Sequence, residues 1–347
     1  MKKSSVLLIY TGGTIGMVQN ARTGALESFN FEHLMQQIPE IELFNLNISA
    51  VSFNPPIDSS DMSPAHWQEL AQIISDNYNT YDGFVVLHGT DTMAFTASAI
   101  SFMLENIMKP VIFTGSQLPV GALRTDGKEN LITAIEIAAA KHADGSPIVP
   151  EVCIYFANKL LRGNRCTKRD AGSFDAFVSN NYPPLATAGT TITYNHCYIR
   201  PYNEKATLTP QYRMEQGIII FSLFPGIKKE VVKAVLRSNE IKGVIFRTFG
   251  AGNAPQAKWL IEELARASSE GKIIINITQC AGGSVEMERY ETGRQLIEAG
   301  VVSGNDSTVE AALTKLMYLL GKGLPTDTIR RLMGCNISGE ISVPEKP

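Results

Sequence analysis

The sequence has few cysteines, little net charge and no long apolar run, and each shortage argues against a class of protein. Its five cysteines are scattered among 347 residues, with no Cys-x-x-Cys pair and no cluster with histidine, so we expect reduced thiols and no metal site. No window holds the ~18 apolar residues of a membrane-spanning helix. The short apolar run after residue 5 is too brief for a signal peptide. We therefore expect a cytoplasmic protein that binds no membrane and needs no cofactor.

The charge balance and composition are those of a globular protein. The chain has 31 basic and 34 acidic side chains, a net charge of −3, and no basic stripe, so we expect no nucleic-acid partner. Hydrophobic residues make up 44% and charged residues 19% of the chain, which is typical of packed domains. The length is sufficient for two domains with a large core.

A glycine-rich turn follows the first apolar run. The run 6–10 predicts a buried strand, and the sequence TGGTIG at 11–16 ends it abruptly. Ligands of open α/β sheets bind beyond the carboxyl ends of strands, so this turn places Thr11 or Thr14 where chemistry often occurs. A phosphate cradle or a plain tight turn is the alternative interpretation, although the spacing differs from the dinucleotide fingerprint G-x-G-x-x-G.

A second strand end has the same design. The apolar run 84–87 leads into HGTDT at 88–92, and a helix is predicted from Met93 to Asn106. Two strand ends that carry hydroxyls, one with a carboxylate beside it, indicate a single site. Asp91 could instead cap the helix, and His88, between a strand and a glycine, is more typical of a packing residue than of a base.

Three further polar segments are ambiguous when their chemistry is considered alone. Ser59, Ser60 and Asp61 follow two prolines and are typical of turn and cap residues. The basic stretch that ends at Lys168 and Arg169 resembles a solvated charge run. Residues 17–28 are polar and suit either a mobile lid or an exposed connection.

Alternating strands and helices predict an α/β fold of two domains with mainly parallel sheets. The N-terminal domain, 1–190, is the larger and carries the candidate threonines, and the C-terminal domain, 213–347, is the smaller. Residues 191–212 are predicted to be a linker, because clear helical periodicity disappears there. Further strands are predicted over 109–113, 152–156, 217–223, 243–248 and 273–277. Further helices are predicted over 29–38, 124–141, 228–238, 307–320 and 326–333.

Several motifs together resemble the asparaginase/glutaminase family, over almost the whole chain. They are TGGTIG at 11–16, DSSDM at 58–62, HGTDTM at 88–93, TGSQ at 114–117, RGNRCTK at 162–168, GNAP at 252–255 and TQC at 278–280. DSSDM, RGNRCTK and TQC look like the cytoplasmic bacterial branch called type I. The resemblance implies hydrolysis of L-asparagine to L-aspartate and ammonia. It also assigns residues: Thr14 as nucleophile, a second set of Thr90, Asp91 and Lys168, and substrate contacts at Ser59, Ser60 and the backbone of Ser116.

These residue types suit amide hydrolysis. An amide is a poor electrophile, and acyl transfer followed by deacylation divides the barrier into two steps. A threonine hydroxyl needs a proton acceptor, which a lysine amine held neutral by burial could supply. The aspartate would orient that amine or hold the substrate's ammonium group, and N–H groups of the glycine turns could stabilise the oxyanion. Either threonine could attack first, and one methylene of pocket depth would separate asparagine from glutamine.

The chain departs from the family at one point. Many members have a tyrosine in the lid after TGGTI, whereas this chain has none between Tyr10 and Tyr78. We predict that Tyr290 replaces it, reaching across a subunit interface.

The resemblance also implies assembly and regulation. Type I relatives form tetramers built from tight dimers, and some bind asparagine at a separate site. Thr167, Arg247 and Cys280 match positions of that regulatory site, although Arg247 could instead form a structural pair at an interface. Two rivals stay open: a non-catalytic amino-acid sensor on the same fold, and an amidotransferase subunit acting on tRNA-linked glutamate. The near-neutral charge and the lack of an RNA-binding module argue against the latter.

Overall fold

The computed structural model describes residues 3–16, 18–19, 26–27, 38–289 and 291–342. Most of the helix predicted over 29–38, most of the segment 17–28 and Tyr290 lie outside these described residues. None of the helices in the described part is long and apolar enough to cross a membrane.

The chain alternates strands and helices along most of its length. The strands are β1 Ser5–Tyr10, β2 Val18–Gln19, β3 Leu26–Glu27, β4 Asn47–Ser52, β5 Gly83–Leu87, β6 Leu104–Glu105, β7 Val111–Thr114, β8 Val152–Phe156, β9 Lys159–Arg162, β10 Thr167–Lys168, β11 Phe177–Val178, β12 Ala186–Ala188, β13 Ile192–Tyr194, β14 Thr209–Pro210, β15 Ile218–Ser222, β16 Gly243–Thr248, β17 Ile273–Thr278 and β18 Val302–Ser303. The α-helices are α1 Pro64–Asp76, α2 Met93–Met103, α3 Gly127–Ala139, α4 Lys229–Arg237, α5 Lys258–Ser269, α6 Glu291–Glu298, α7 Val309–Gly321 and α8 Thr326–Met333. Short 3₁₀ helices cover Thr14–Gly16, Pro39–Leu43, Ser59–Asp61 and Gly163–Arg165.

The first compact unit comprises the chain up to Ser179 together with Pro183–Tyr212. Its eight-stranded sheet has the order β13-β12-β9-β8-β7-β5-β1-β4. The five strands from β8 to β4 are parallel, and β9, β12 and β13 extend the sheet with antiparallel pairs. Strands β5, β7 and β8 are buried along their whole length. Such continuous apolar runs are typical of parallel strands covered on both faces.

The strand order creates a switch point beside β1. The chain leaves β1 for β4 on one side, whereas it leaves β5 for β7 on the other side. The connections therefore diverge between β1 and β5, where ligands of open α/β sheets bind. The turns that begin at Thr11 and His88 follow these two strands directly.

The second compact unit comprises Asn180–Tyr182 and the chain from Arg213 onward. Its four parallel strands lie in the order β15-β16-β17-β18. Apolar side chains of β16, β17, α4 and α5 form a buried core, including Val244, Phe246, Ile274 and Leu264. Arg237 of α4 donates to the carboxylate of Glu263 in α5, with a shortest distance of 2.7 Å.

The predicted fold class, two α/β domains with mainly parallel sheets, is confirmed by this architecture. Strands 152–156 and 243–248 and helix 326–333 have the predicted bounds. The helix predicted to reach Asn106 ends at Met103, because Leu104–Glu105 pairs with Thr209–Pro210. This tertiary pairing overrides local helix propensity.

Residues 191–212 include two short strands that pair with other strands. Strand β13 completes the large sheet, and β14 pairs with β6, so the structure places this segment in the first unit. The second unit begins at Arg213 except for Asn180–Tyr182. The division into 1–190, 191–212 and 213–347 stays a prediction.

Candidate active site

Two glycines shape the turn that carries Thr14. Gly12 and Gly13 have φ values of 141° and 92°, which residues other than glycine rarely adopt. A Cβ on Gly12 would lie 1.9 Å from the carbonyl oxygen of Ile57. A Cβ on Gly13 would lie 2.5 Å from the Cα of Gly89. Glycine is therefore required at both positions by conformation and by space.

The same close contacts join three segments of the first unit. Gly13 contacts Gly89, and a Cβ on Gly89 would lie 2.5 Å from Ser59 Oγ. Thr92 Oγ1 donates to the carbonyl of Ser59 at 2.6 Å. The turns after β1 and β5 and the 3₁₀ helix at Ser59 are thus closely packed against one another, and they bring Thr14, Thr90 and Ser59 into one region.

Lys168 contacts two residues of the second turn. Its Nζ lies 2.8 Å from Thr90 Oγ1 and 2.6 Å from Asp91 Oδ1. The lysine side chain is 16% exposed, whereas that of Asp91 is 64% exposed. Strand β10 holds Lys168 in place by pairing it with Phe177 of β11. A cation, a hydroxyl and a carboxylate from distant parts of the chain therefore form one cluster.

Gln117 completes this cluster and was missed by the sequence analysis. Thr90 Oγ1 donates to Gln117 Oε1 at 3.4 Å, and Gln117 Nε2 donates to the carbonyl of Ser173 at 2.9 Å. The carboxylate of Asp126 accepts the backbone N–H of Gln117. The only signal in the sequence was a third strand end, TGSQ, which did not reveal which side chain would reach Thr90.

The serines predicted to bind substrate lie at the neighbouring strand ends. Ser59 is buried. Ser60 donates from its backbone N–H and its hydroxyl to Asp58 Oδ1, at 2.9 Å each, and these bonds lower the pKa of the Asp58 carboxyl. The hydroxyl of Ser116 donates to the carbonyl of Leu118 at 2.6 Å. The Ser60 and Ser116 side chains therefore stabilise their own loops.

His88 is unsuited to act as a base. Its Nδ1 lies 2.7 Å from the carbonyl oxygen of Gly89, and its ring packs edge-on against Phe113 with centroids 6.1 Å apart. Burial lowers the pKa of His88 to about 4. This environment agrees with the interpretation of His88 as a packing residue.

The other predicted residues lie elsewhere. Thr167 precedes Lys168 in β10 of the first unit. Arg247 lies near the carboxyl end of β16, and Cys280 follows β17; both belong to the second unit. Gln279 Nε2 donates to the carbonyl of Arg247 at 2.9 Å, and Cys280 is exposed. Tyr290 lies outside the described residues. Among the described residues, no group of three or more His, Cys, Asp and Glu side chains could hold a metal ion.

Comparisons with known proteins match both units. The N-terminal asparaginase family model matches residues 5–200, and the C-terminal glutaminase/asparaginase domain model matches residues 217–333. L-asparaginase 1 of Escherichia coli K12 is 45% identical over 343 residues, which cover 99% of each chain. A 60 kDa lysophospholipase of Mus musculus is 42% identical over 98% of this chain and 63% of its own length. The crystal structure of L-asparaginase I from Vibrio cholerae matches with a TM-score of 0.90 and 40% identity, covering 99% of this chain and 100% of that one.

Proposed function

This chain belongs to the asparaginase family, and we propose that it hydrolyses the side-chain amide of L-asparagine to L-aspartate and ammonia. The observation that carries the proposal is the cluster at the switch point. Lys168 Nζ contacts both Thr90 and Asp91, and the turn of Thr90 packs against the turn of Thr14.

In the proposed reaction, Thr14 is the nucleophile. Its hydroxyl oxygen attacks the carboxamide carbon, the C–N bond breaks, and the leaving nitrogen takes a proton to depart as ammonia. Water then attacks the acyl-threonine ester, which releases aspartate and restores the hydroxyl. Thr90, with Lys168 and Asp91 beside it, forms a proton-transfer set, because these atoms lie within hydrogen-bond reach of one another.

Substrate binding is proposed at the same edge of the sheet. Ser59, Ser60 and the backbone of Ser116 follow β4 and β7, on either side of the two threonine turns. We propose that they hold the amino-acid portion of asparagine, so that the carboxamide lies between Thr14 and Thr90. The reaction needs no cofactor, because every step is acyl or proton transfer.

Ammonia release from L-asparagine tests the function. We expect the wild type to release ammonia, and Thr14→Ala to lower kcat by at least about a thousandfold, as is usual when a nucleophile is removed. Thr187→Ala, at an exposed position of β12, is the matched control and should leave kcat unchanged. A wild type that binds asparagine without releasing ammonia would favour the amino-acid sensor. Turnover only with tRNA-linked glutamate would favour the amidotransferase subunit.

We propose that Tyr290 supplies the hydroxyl missing from the lid, across a subunit interface. Tyr290→Phe is then expected to lower turnover at least about tenfold while the melting temperature stays that of the wild type, because only a positioned hydroxyl is lost. Steady-state kinetics and thermal unfolding measure the two quantities. Unchanged turnover would discard this role.

We also propose a cytoplasmic homotetramer, built from tight dimers, that asparagine activates through Thr167, Arg247 and Cys280. The rate should then depend sigmoidally on asparagine concentration, and Arg247→Ala should make the curve hyperbolic by removing the regulatory site's guanidinium. Initial rates over a wide concentration range test this. A hyperbolic wild-type curve would rule out the regulation without affecting the proposed hydrolysis.

A further inference from the structure

Two buried side chains lie beside the two threonine turns. Tyr10 is the last residue of β1, and His88 is the first residue after β5. The Tyr10 hydroxyl donates to the carbonyl of Gly13 at 3.1 Å, and His88 Nδ1 lies 2.7 Å from the carbonyl oxygen of Gly89. Each of these glycines immediately precedes a threonine, Thr14 or Thr90. A buried side-chain donor therefore contacts a glycine carbonyl at each strand end, three residues along the chain in the first turn and one residue along in the second.

The chemistry of each contact fixes where its proton lies. A carbonyl oxygen can only accept, so His88 must carry its hydrogen on Nδ1 and donate it to Gly89. His88 Nε2 is buried without a hydrogen-bond partner among the described residues, which suits a neutral ring. Burial lowers the pKa of His88 to about 4 and raises the pKa of Tyr10 to about 12. Both groups therefore stay neutral donors across the intervening pH range.

Fixing the two glycine carbonyls also fixes the N–H groups that follow. The peptide unit is planar and trans, so the N–H of Thr14 is directed opposite to the carbonyl of Gly13. The same holds for Thr90 and the carbonyl of Gly89. Glycine has the freest backbone of all residues, and Gly13 has a φ of 92°. The Gly13 carbonyl accepts two donors, the N–H of Gly16 at 3.3 Å and the Tyr10 hydroxyl. The buried His88 ring restrains the carbonyl of Gly89.

We propose that Tyr10 and His88 are paired positioning residues, which hold the Gly13–Thr14 and Gly89–Thr90 peptide planes and so orient both threonines for amide hydrolysis. The expected effect on kcat rests on the proposed function. The restraint of the two peptide planes does not depend on which reaction the protein catalyses.

The kinetic test compares variants that lose or keep the donor. Tyr10→Phe removes a single oxygen, and His88→Leu removes the imidazole donor. Each should lower kcat by about ten- to a hundredfold, the loss expected from misplaced reacting groups, while KM for asparagine changes less than about threefold. His88→Asn places an amide N–H near the position of Nδ1 and should recover most of the lost kcat. Unchanged kcat in Tyr10→Phe and His88→Leu would overturn the proposal, as would His88→Asn being no better than His88→Leu.

A second measurement separates this inference from the proposed function. Amide hydrogen exchange at Thr14 should be at least about tenfold faster in Tyr10→Phe than in the wild type, and exchange at Thr90 should be faster in His88→Leu, because the restraint on each peptide is lost. Unchanged exchange at these amides would overturn the positioning role. If instead the exchange changes as expected but the wild type releases no ammonia, the proposed function fails and the positioning stands. Should His88→Leu fold poorly, Tyr10→Phe carries the test alone.

Discussion

Individual side chains of the site differ in how far the sequence could predict them. Thr14, Thr90 and Asp91 follow apolar runs, so their place at strand ends could be predicted from the pattern alone. Lys168 lies 78 positions from Thr90, and no local pattern links the two; only the family resemblance assigned it. Gln117 and Tyr10 could not be found in advance, because their roles depend on hydrogen bonds that exist only in the folded chain.

Protonation of His88 should make the folded state sensitive to acid. Burial lowers the pKa of His88 to about 4 from its ordinary value of 6.5, so between these values the unfolded chain binds more protons than the folded chain. Stability therefore rises with pH through this window and is lost as pH falls. From pH 7 to pH 5 this one group should lower the free energy of unfolding by about 2 kcal/mol.

Urea unfolding at pH 7 and pH 5 measures this effect against His88→Asn, which keeps a donor but does not titrate. We expect the variant to lose about 2 kcal/mol less than the wild type over that interval. An equal loss in both proteins would show that His88 is not held neutral in the folded state.

At the scale of elements, the strands were easier to predict than their ends and connections. Apolar runs gave β1, β5, β8, β16 and β17 within one residue at each end, because buried parallel strands are apolar on both faces. The change from helix to strand at Leu104 and the pairing of β12 with β9 depend on distant partners. Such pairings leave no periodic signal in the sequence.

The contact between the two glycine turns predicts a large cost for any side chain there. Gly13→Ala should lower the free energy of unfolding by about 3 kcal/mol or more and abolish turnover, because it combines backbone strain with overlap against Gly89. Gly145→Ala is the matched control: its φ of 88° is similar, but nothing lies within 4 Å of its Cβ. We expect it to cost about 1 kcal/mol, from strain alone, and to leave activity intact.

Denaturant unfolding and ammonia release measure the two effects together. If both alanine variants lost the same stability, backbone conformation alone, and not contact with Gly89, would explain the need for glycine.

On the scale of the whole molecule, each compact unit has its own sheet and buried core. The second unit encloses an ion pair between Lys315 and Glu340, whose side chains are 1% and 0% exposed and whose charged atoms are 2.6 Å apart. Lys315 also donates to the carbonyl of Met333 at 3.1 Å, and Glu340 accepts the N–H of Ser338 at 2.7 Å. The pair therefore joins α7 to the chain segment after α8.

Breaking this pair should destabilise the second unit selectively. Lys315→Met leaves the Glu340 carboxylate buried without its cation, and we expect a loss of about 3 kcal/mol or more in the free energy of unfolding. Lys242→Met, which breaks an exposed pair with Glu215 in the same unit, should cost less than about 1 kcal/mol. Hydrogen-exchange mass spectrometry should show faster exchange in peptides from 213–342 for Lys315→Met. Equal exchange in the two variants would contradict the prediction.

The absence of room between Gly13 and Gly89 also limits how the protein can be re-engineered. A library that varies residues 12–14 while keeping 88–90 constant samples only replacements that fit an unaltered neighbour, and it would score most of them as inactive. Accommodating new side chains at one turn requires simultaneous backbone adjustment at the other. Selection for altered substrates should therefore randomise both triplets together, and successful clones should carry correlated changes in the two.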